Sequence, residues 1–586
     1  MRDNRPMFSQ RSWSEILNGG LLLLCLSLPW LSPLVVRPSP SVAPLLVSWM
    51  LAACAVLLVS DWPGPVPVWR RRTLVWGALL VGWLLLSLLL VPEVVDHALT
   101  LGLLASLACV AVMAMVGRRV HLGGQAKMSW LVAAWLFAAG LSSVLGLLQY
   151  LDLAHGLSTW VNQPLRGDAF ANLRQRNQFA TLTSLGLVVL LAWVAQQEAS
   201  AQGVRAWRRG LSWGLLALLA AGVSTSVSRT GALEWGCVVT LAVLWARRAQ
   251  RQGERGRQVF WMALAGLVLV AVWSCVLPWL SYQMTGHWGA SLLLRVTGQA
   301  QEYAMCGRRS VLWHNVLTML VQHPWLGWGW GETDYAHFMT LYAGPRFCDM
   351  VDNAHDLPLH LALEFGLPLA LALCGSGLVW AWHRRPWAEH APWRAMAWGL
   401  LLVLLVHSML EYPLWYGPFQ MTLGLALGLL GARNTDATSA PLSAPAPSPW
   451  LQAAPVLLGS ALFVGCLYAV WDYQRVSQIY LPPQARLAIY SDHPLVYARQ
   501  SWLFRNQAEF AELTMQTVTA DNAAVMYPLA RRVMHYSPEP RVVQRAIDSA
   551  RLLGLNDQVQ ILTERLQAVQ DNAPITQNIA ASAASH

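Results

Sequence analysis

The chain has 586 residues, 55% of them hydrophobic and only 12% charged, with a formal net charge of +10. Apolar runs of about 17 to 23 residues recur along most of its length, which makes it a polytopic membrane protein and excludes an ordinary soluble domain. The positive charge does not build a nucleic-acid surface, because the arginines sit in alternate loops and are not gathered into one patch interleaved with aromatics.

The first run, near 16–36, is followed at once by a second hydrophobic run with no clear small-residue cleavage site between them, so it reads as a retained helix and not as a signal peptide. About thirteen spans are predicted, near 16–36, 42–60, 73–91, 98–116, 129–151, 178–197, 210–224, 231–247, 259–281, 359–382, 395–411, 415–432 and 451–471. With the amino terminus inside, "WRRR" (69–72), "GRRVHLGGQAK" (117–127), "RAWRR" (205–209), "RRAQRQGERGR" (247–257) and "HRRPWAEHAPWR" (383–394) all become cytoplasmic. That agrees with the positive-inside rule at each loop. Segments 152–177, 224–230, 282–358 and 412–414, with the tail from 472, then face outward.

The organisation predicted from this is nine spans over 1–281, a large outer loop over 282–358 with an amphipathic helix, and four spans over 359–471. "ARNTDATSAPLSAPAPSP" (432–449) reads as a flexible cytoplasmic linker before the last span. The tail, 472–586, has spaced apolar residues that suit helical hairpins, with disorder expected from about Asn572. Seven of the nine cysteines fall in predicted spans, where they act as small apolar side chains. Cys306 and Cys348 both fall in the outer loop and are the candidates for a disulfide if that compartment is oxidising.

Four polar clusters lie on the outer side. "LRQRNQFATLTS" (173–184) sets Arg174 and Arg176 among the amides Gln175, Asn177 and Gln178; interfacial arginines can simply snorkel, but a guanidinium fork beside amides also fits a phosphate. "STSVSRTGALEWG" (224–236) puts Arg229 and Glu234 beside or inside a span, either as a mutually satisfied pair or as a functional site. "DNAHDLPLHLALEFGLP" (352–368) offers Asp352, Asn353 or Asp356 as a helix cap, with Pro358 tolerated in the first turn. His355 sits just before that turn, where an imidazole can exchange protons, while His360 and Glu364 share a helix face. Asp349, Asp352, His355 and Asp356 are rich in oxygen, but their spacing matches no dedicated calcium or zinc pattern. "EYPLWYGPF" (411–419) combines aromatics suited to an interfacial belt with Glu411, which a belt does not explain.

"GRRSVLWHNVLTMLVQHPWLGWGWG" (307–331), followed by Asn353, His355, Glu364 and Gly366, resembles the large periplasmic loop of the O-antigen ligase and polymerase superfamily, although Asp356 stands where a second asparagine is usual. "RQRNQFAT", "SVSRTG", "LEYPLWY" and "DYQRVSQIYLPPQAR" look more narrowly like bacterial O-oligosaccharyltransferases of the PglL type, over roughly 140–490. The resemblance implies an all-α, GT-C-like inner-membrane protein with its active site and carboxyl-terminal domain in the periplasm. It implies transfer of an oligosaccharide from undecaprenyl diphosphate to Ser or Thr of exported proteins such as pilin, by a single inverting displacement.

On that expectation His355 is the base or orienter of the acceptor hydroxyl, and Arg176 and Arg229 take the diphosphate, with Arg308 or Arg309 as a third cation. Gln178 and Tyr412 contact the donor or its first sugar, and Glu364 and Glu411 support from behind, as carboxylates do for imidazoles. No metal or other cofactor is expected, since cationic side chains neutralise the leaving group. Membrane lipids are the remaining partner. The alternatives are ligation of O-antigen to lipid A core, then a glycan polymerase, then a transporter or flippase; the last is opposed by polar clusters gathered at one face instead of the midplane.

Overall fold

The computed structural model describes residues 13–60, 97–164, 169–199, 206–253, 256–297, 305–431 and 449–571, with Leu79, Gly82, Trp83 and Leu86. Most of the expected third span, the basic segment 69–72, nearly all of the 432–449 linker and the tail beyond 571 lie outside the described residues.

Every regular element among the described residues is helical. The long helices are α1 (Trp13–Leu31), α2 (Val42–Leu58), α3 (His97–Leu122), α4 (Gln125–Tyr150), α5 (Arg176–Ala199), α6 (Ala206–Ser226), α7 (Arg229–Arg251) and α8 (Arg257–Thr285). A segment with a core of its own, corresponding to the predicted outer loop, follows with α9 (Arg309–Gln322), a short helix Thr333–Met339 and α10 (Leu357–Phe365). The chain then returns to the bundle as α11 (Leu367–Arg384), α12 (Pro392–Ser408), α13 (Gly417–Gly431) and α14 (Pro449–Ser477). Among the described residues six helices are long and apolar enough to cross a membrane, namely α1, α3, α4, α5, α8 and α14, and α2, α12 and α13 are shorter apolar helices.

Helix α5 is the centre of the bundle: 89% of its most apolar stretch is buried, against 28% for α3, α8 and α14, which present apolar faces outward. Small residues let its neighbours approach. A Cβ on Gly231 of α7 would lie 2.5 Å from the Cβ of Ala180, so the starts of α5 and α7 are brought together by the absence of a side chain.

The expected span at 359–382 is broken. Gly366 takes φ 86° and ends α10, and Pro368 opens α11. The break is enforced by the Trp/Gly turn before it: a Cβ on Gly366 would lie 2.0 Å from the Trp325 carbonyl oxygen, and one on Gly327 2.4 Å from the Glu364 carbonyl carbon. Backbone bonds Trp328 N to Leu363 O (2.8 Å) and Leu367 N to Pro324 O (2.9 Å) close the contact. The two glycine motifs of the sequence are therefore halves of one backbone-on-backbone packing device.

Leu312, Val316, Met319, Ala336, Val351, Ala354 and Leu363 form the core of the outer segment, and a disulfide joins Cys306 to Cys348. In the tail, α15 (Arg505–Met515), α16 (Ala523–Tyr536), α17 (Pro540–Leu552) and α18 (Asn556–Gln570) pack around their own core, into which Phe338 of the outer segment inserts. His535 Nδ1 lies 2.7 Å from Glu332 Oε2, tying the tail to that segment. The "DYQRVSQIY" motif shapes the start of the tail. Buried Asp472 accepts from the Ser501 hydroxyl and the Leu503 amide at 2.8 Å and pairs with Arg475, while Tyr480 donates to Gln507 O at 2.6 Å.

Candidate active site

The site is assembled where three helices begin. The turn before α5 carries Ala171 and Arg174 at φ 51° and 63°, a costly conformation for residues with side chains. Buried Gln149 holds it, accepting from Ala171 N at 2.7 Å and donating to Ala171 O at 2.8 Å. Helix α7 is capped by Ser228, whose hydroxyl oxygen accepts from Gly231 N at 3.1 Å and donates to Asn177 Oδ1 at 2.7 Å. Helix α9 opens at Arg309. Each of these helices has an arginine as its first residue: Arg176, Arg229 and Arg309.

Glu411, in the turn after α12, joins them. Its Oε1 accepts from Arg309 Nη2 at 2.7 Å and from Asn177 Nδ2 at 2.9 Å, and its Oε2 lies 2.9 Å from His355 Nδ1. Gln175 Nε2 approaches Oε2 at 3.5 Å, the limit of a hydrogen bond. Burial alone would raise the Glu411 carboxyl, but the His355 hydrogen bond and the charges of His355 and Arg309 outweigh it and hold the group below its ordinary value. An ionised Glu411 accepts from Nδ1–H and leaves Nε2 of His355 as the bare nitrogen, a tautomer assigned from the network. The imidazole side chain is 29% exposed and Glu411 only 8%, so His355 is open to an incoming group while its support is not.

His355 itself adopts φ 51°, and its amide donates to Asn353 Oδ1 at 2.9 Å, a side-chain turn that stabilises the left-handed residue. Asp356 caps α10, accepting from Leu359 N at 3.0 Å. Tyr412 meets the His355 ring edge-on at 5.2 Å and stacks on Tyr416 at 6.0 Å. Burial first, then the neighbouring Tyr416 and carboxylates, raise its phenol, so it stays a hydrogen-bond donor.

The remaining predicted residues fall as follows. Gln178 is 3% exposed and its Nε2 has no partner within the described chain. Arg229 is exposed and donates from Nε to Arg295 O at 2.9 Å. The pairing of Arg229 with Glu234, the alternative to a functional Arg229, is not formed, because Glu234 points into the bundle and bonds to Thr181 at 2.7 Å. Arg308 is exposed just before α9, and Arg176 opens α5 half-buried. Glu364 does not reach His355: it accepts from Thr333 at 2.7 Å and lies 3.3 Å from His360 Nε2 without hydrogen-bond geometry. Among the described residues no group of three or more His, Cys, Asp or Glu is arranged to hold a metal ion, the Asp349, Asp352, His355 and Asp356 cluster included.

Sequence reasoning missed Asn177 and Ser228 as struts of Glu411, and missed His407 altogether. An ionisable residue inside an apolar run was the available signal for His407.

Among the described residues the helices bury one another and gather polar groups where α5, α7 and α9 begin, and six of them are long and apolar enough to cross a membrane, as in a multi-pass membrane protein. The model described as "O-Antigen ligase" matches residues 214–374, that for "Protein glycosylation ligase" matches 169–194, and that for "Virulence factor membrane-bound polymerase, C-terminal" matches 395–582. The Glu411 site draws on all three segments, through Asn177, through Arg309 and His355, and through Glu411 itself. More particularly, the chain is similar to two proteins of Acinetobacter baylyi. It is 24% identical over 318 residues to a general O-oligosaccharyltransferase, covering 53% of this chain and 52% of that one. It is 22% identical over 425 residues to a ComP-specific O-oligosaccharyltransferase, covering 69% and 70%. The match thus spans about half the length of the first relative and over two thirds of the second. These similarities bear out the resemblance to PglL-type O-oligosaccharyltransferases within the O-antigen ligase superfamily.

Proposed function

We propose that the chain is an inner-membrane glycosyltransferase that moves a preassembled oligosaccharide from undecaprenyl diphosphate to serine or threonine of an exported protein such as a pilin. The observation that carries this reading is the Glu411 node: one buried carboxylate holds an exposed imidazole at 2.9 Å and an arginine at 2.7 Å, at the meeting of three helix starts.

The donor is already activated, so the protein has two tasks: to deprotonate and aim a hydroxyl, and to stabilise the departing diphosphate. His355 Nε2 takes the hydroxyl proton while Glu411 stabilises the imidazolium that forms. The oxygen attacks the anomeric carbon from the face opposite the diphosphate, whose bond to carbon breaks as the new one forms, inverting that centre. Helix starts carry partial positive charge, and α5, α7 and α9 each add an arginine there. Arg176 and Arg229, with Arg308, bind the diphosphate. Arg309 already contacts Glu411, so in this reading it couples the anion site to the base. Gln178 and Tyr412 supply neutral donors to the diphosphate or first sugar. The site and the tail lie on the periplasmic side, with the amino terminus in the cytoplasm, in keeping with the basic loops of the opposite face.

The test reconstitutes the protein with an undecaprenyl-diphosphate-linked glycan and offers it, in parallel, a serine-containing pilin and lipid A core. Glycan on the pilin supports the reading; glycan on lipid A core alone makes the chain a ligase.

A further inference from the structure

Below Glu411, inside the bundle, three wholly buried polar side chains from three helices meet: Thr181 of α5, Glu234 of α7 and His407 of α12. Thr181 Oγ1 lies 2.7 Å from Glu234 Oε1, 2.8 Å from His407 Nδ1 and 2.9 Å from Asn177 O. Nothing in the proposed transfer uses them. We propose that Glu234 is held as a neutral carboxylic acid that donates through Thr181 to His407, forming a buried relay that positions Glu411.

The argument is a count of hydrogens. A threonine hydroxyl has one proton to give. Whichever neighbour receives it, the others must either donate to Thr181 or lose their contact. If Thr181 donates to His407 Nδ1, or to the Asn177 carbonyl, Glu234 must carry the proton that points at Thr181. If Thr181 donates to an ionised Glu234, His407 must carry a proton on Nδ1, and the carboxylate needs a counter-charge. Among the described residues no cationic side chain bonds Glu234; His407 Nδ1 is 4.0 Å away, and the neighbour beside Thr181 is the neutral Ser184 hydroxyl, which donates to Ala180 O at 3.0 Å. An ionised carboxylate in that setting costs several kcal/mol, so the neutral arrangement wins. The other ionisable groups whose fields reach this trio are Cys237 on α7 and Arg309 and Glu411 above His407.

The relay is one helical turn from the site by two routes. Asn177, whose carbonyl faces the Thr181 hydroxyl, donates its side chain to Glu411, and the carbonyl of His407 accepts the Glu411 amide at 2.8 Å. Thr181 and His407 therefore fix the ends of α5 and α12 that aim Glu411 at His355. Glu234, Thr181 and His407 are positioning residues, and this part of the inference rests on the function proposed above.

Two readouts separate the claims. Infrared difference spectra between the full-length protein and Glu234→Gln report the protonation of Glu234 without any activity. The relay predicts loss of a protonated-acid carbonyl band at neutral pH; loss of a carboxylate band instead overturns it. Turnover is then compared for Thr181→Val, Thr181→Ser, Glu234→Ala and Glu234→Gln. Val and Ala should each slow transfer about tenfold, the scale of one buried hydrogen bond, while Ser and Gln restore it. Wild-type turnover in Thr181→Val, or no rescue by the conservative variants, overturns the positioning role. Absence of transfer by the wild type sinks the proposed function, while the infrared result still decides the protonation of Glu234.

Discussion

Replacing Glu411 by glutamine keeps the shape of the side chain and removes its charge. In the structure the carboxylate accepts from Arg309, Asn177 and His355 at 2.7, 2.9 and 2.9 Å. An amide has one acceptor oxygen. If that oxygen stays with Arg309 and Asn177, the amide NH2 faces His355 Nδ1, and two N–H groups cannot face each other. His355 must then turn a bare Nδ1 to the amide and carry its proton on Nε2, the nitrogen that accepts the hydroxyl proton in the proposed transfer. Loss of a carboxylate that fixes a tautomer costs on the order of 10³ to 10⁴ in turnover, or ~4 to 5.5 kcal/mol. Folding should survive, because the Arg309 side chain is 40% exposed and solvent screens the charge left behind. The assay is the rate of glycan transfer at saturating donor by purified wild type and Glu411→Gln, with insertion and yield compared. A variant within tenfold of wild type would refute the reasoning.

Arg229→Lys replaces a planar fork with a point charge and should raise the donor KM about tenfold at unchanged yield; an unchanged KM argues that Arg229 only binds the Arg295 carbonyl. Gly366→Ala places a Cβ 2.0 Å from the Trp325 carbonyl oxygen at φ 86°, and should destabilise the outer segment by about 2 kcal/mol or more. Limited proteolysis that shows equal protection in both proteins would contradict this. Asp356→Ala removes the cap of α10 and should cost about 1 kcal/mol in thermal unfolding, with no change expected if the cap were dispensable. For pH, the Glu411 carboxyl is held below its ordinary value, so its contacts are fully present above the unfolded value of about 4.3 and are lost as pH falls through the lowered one. The carboxylate signal of carbon-13-labelled Glu411 should remain that of the ionised form down to about pH 4; protonation between about pH 5 and 7 would show that burial wins over His355 and Arg309.

The helical, membrane-embedded character of the chain was legible from composition and hydropathy, and His355 from its place in a recognisable motif. The sequence reading names Glu364 first, and Glu411 beside it, as supporting carboxylates. Only the fold separates them, because a carboxylate's partner across the bundle leaves no mark in local spacing. Glu364 shares a helix face with His360 and stays there, whereas Glu411 reaches His355 from the turn after α12. The break at Gly366 was readable in principle, since a glycine followed by a proline is a helix stop and start. The continuous hydrophobicity of the run concealed it. Arg229 and Glu234 were close enough in sequence to suggest a pair, but the helix turns Glu234 inward to Thr181 and leaves Arg229 outside.

The central claim is that His355, held by Glu411, is the base of a glycosyl transfer. Its most direct test is single-turnover transfer by purified wild type and His355→Ala, with the product serine or threonine and its anomeric configuration determined. The account predicts an inverted linkage made by the wild type, and none made by a His355→Ala protein that is inserted and still binds the lipid-linked donor. Transfer by that variant at the wild-type rate, or a retained configuration, would contradict it.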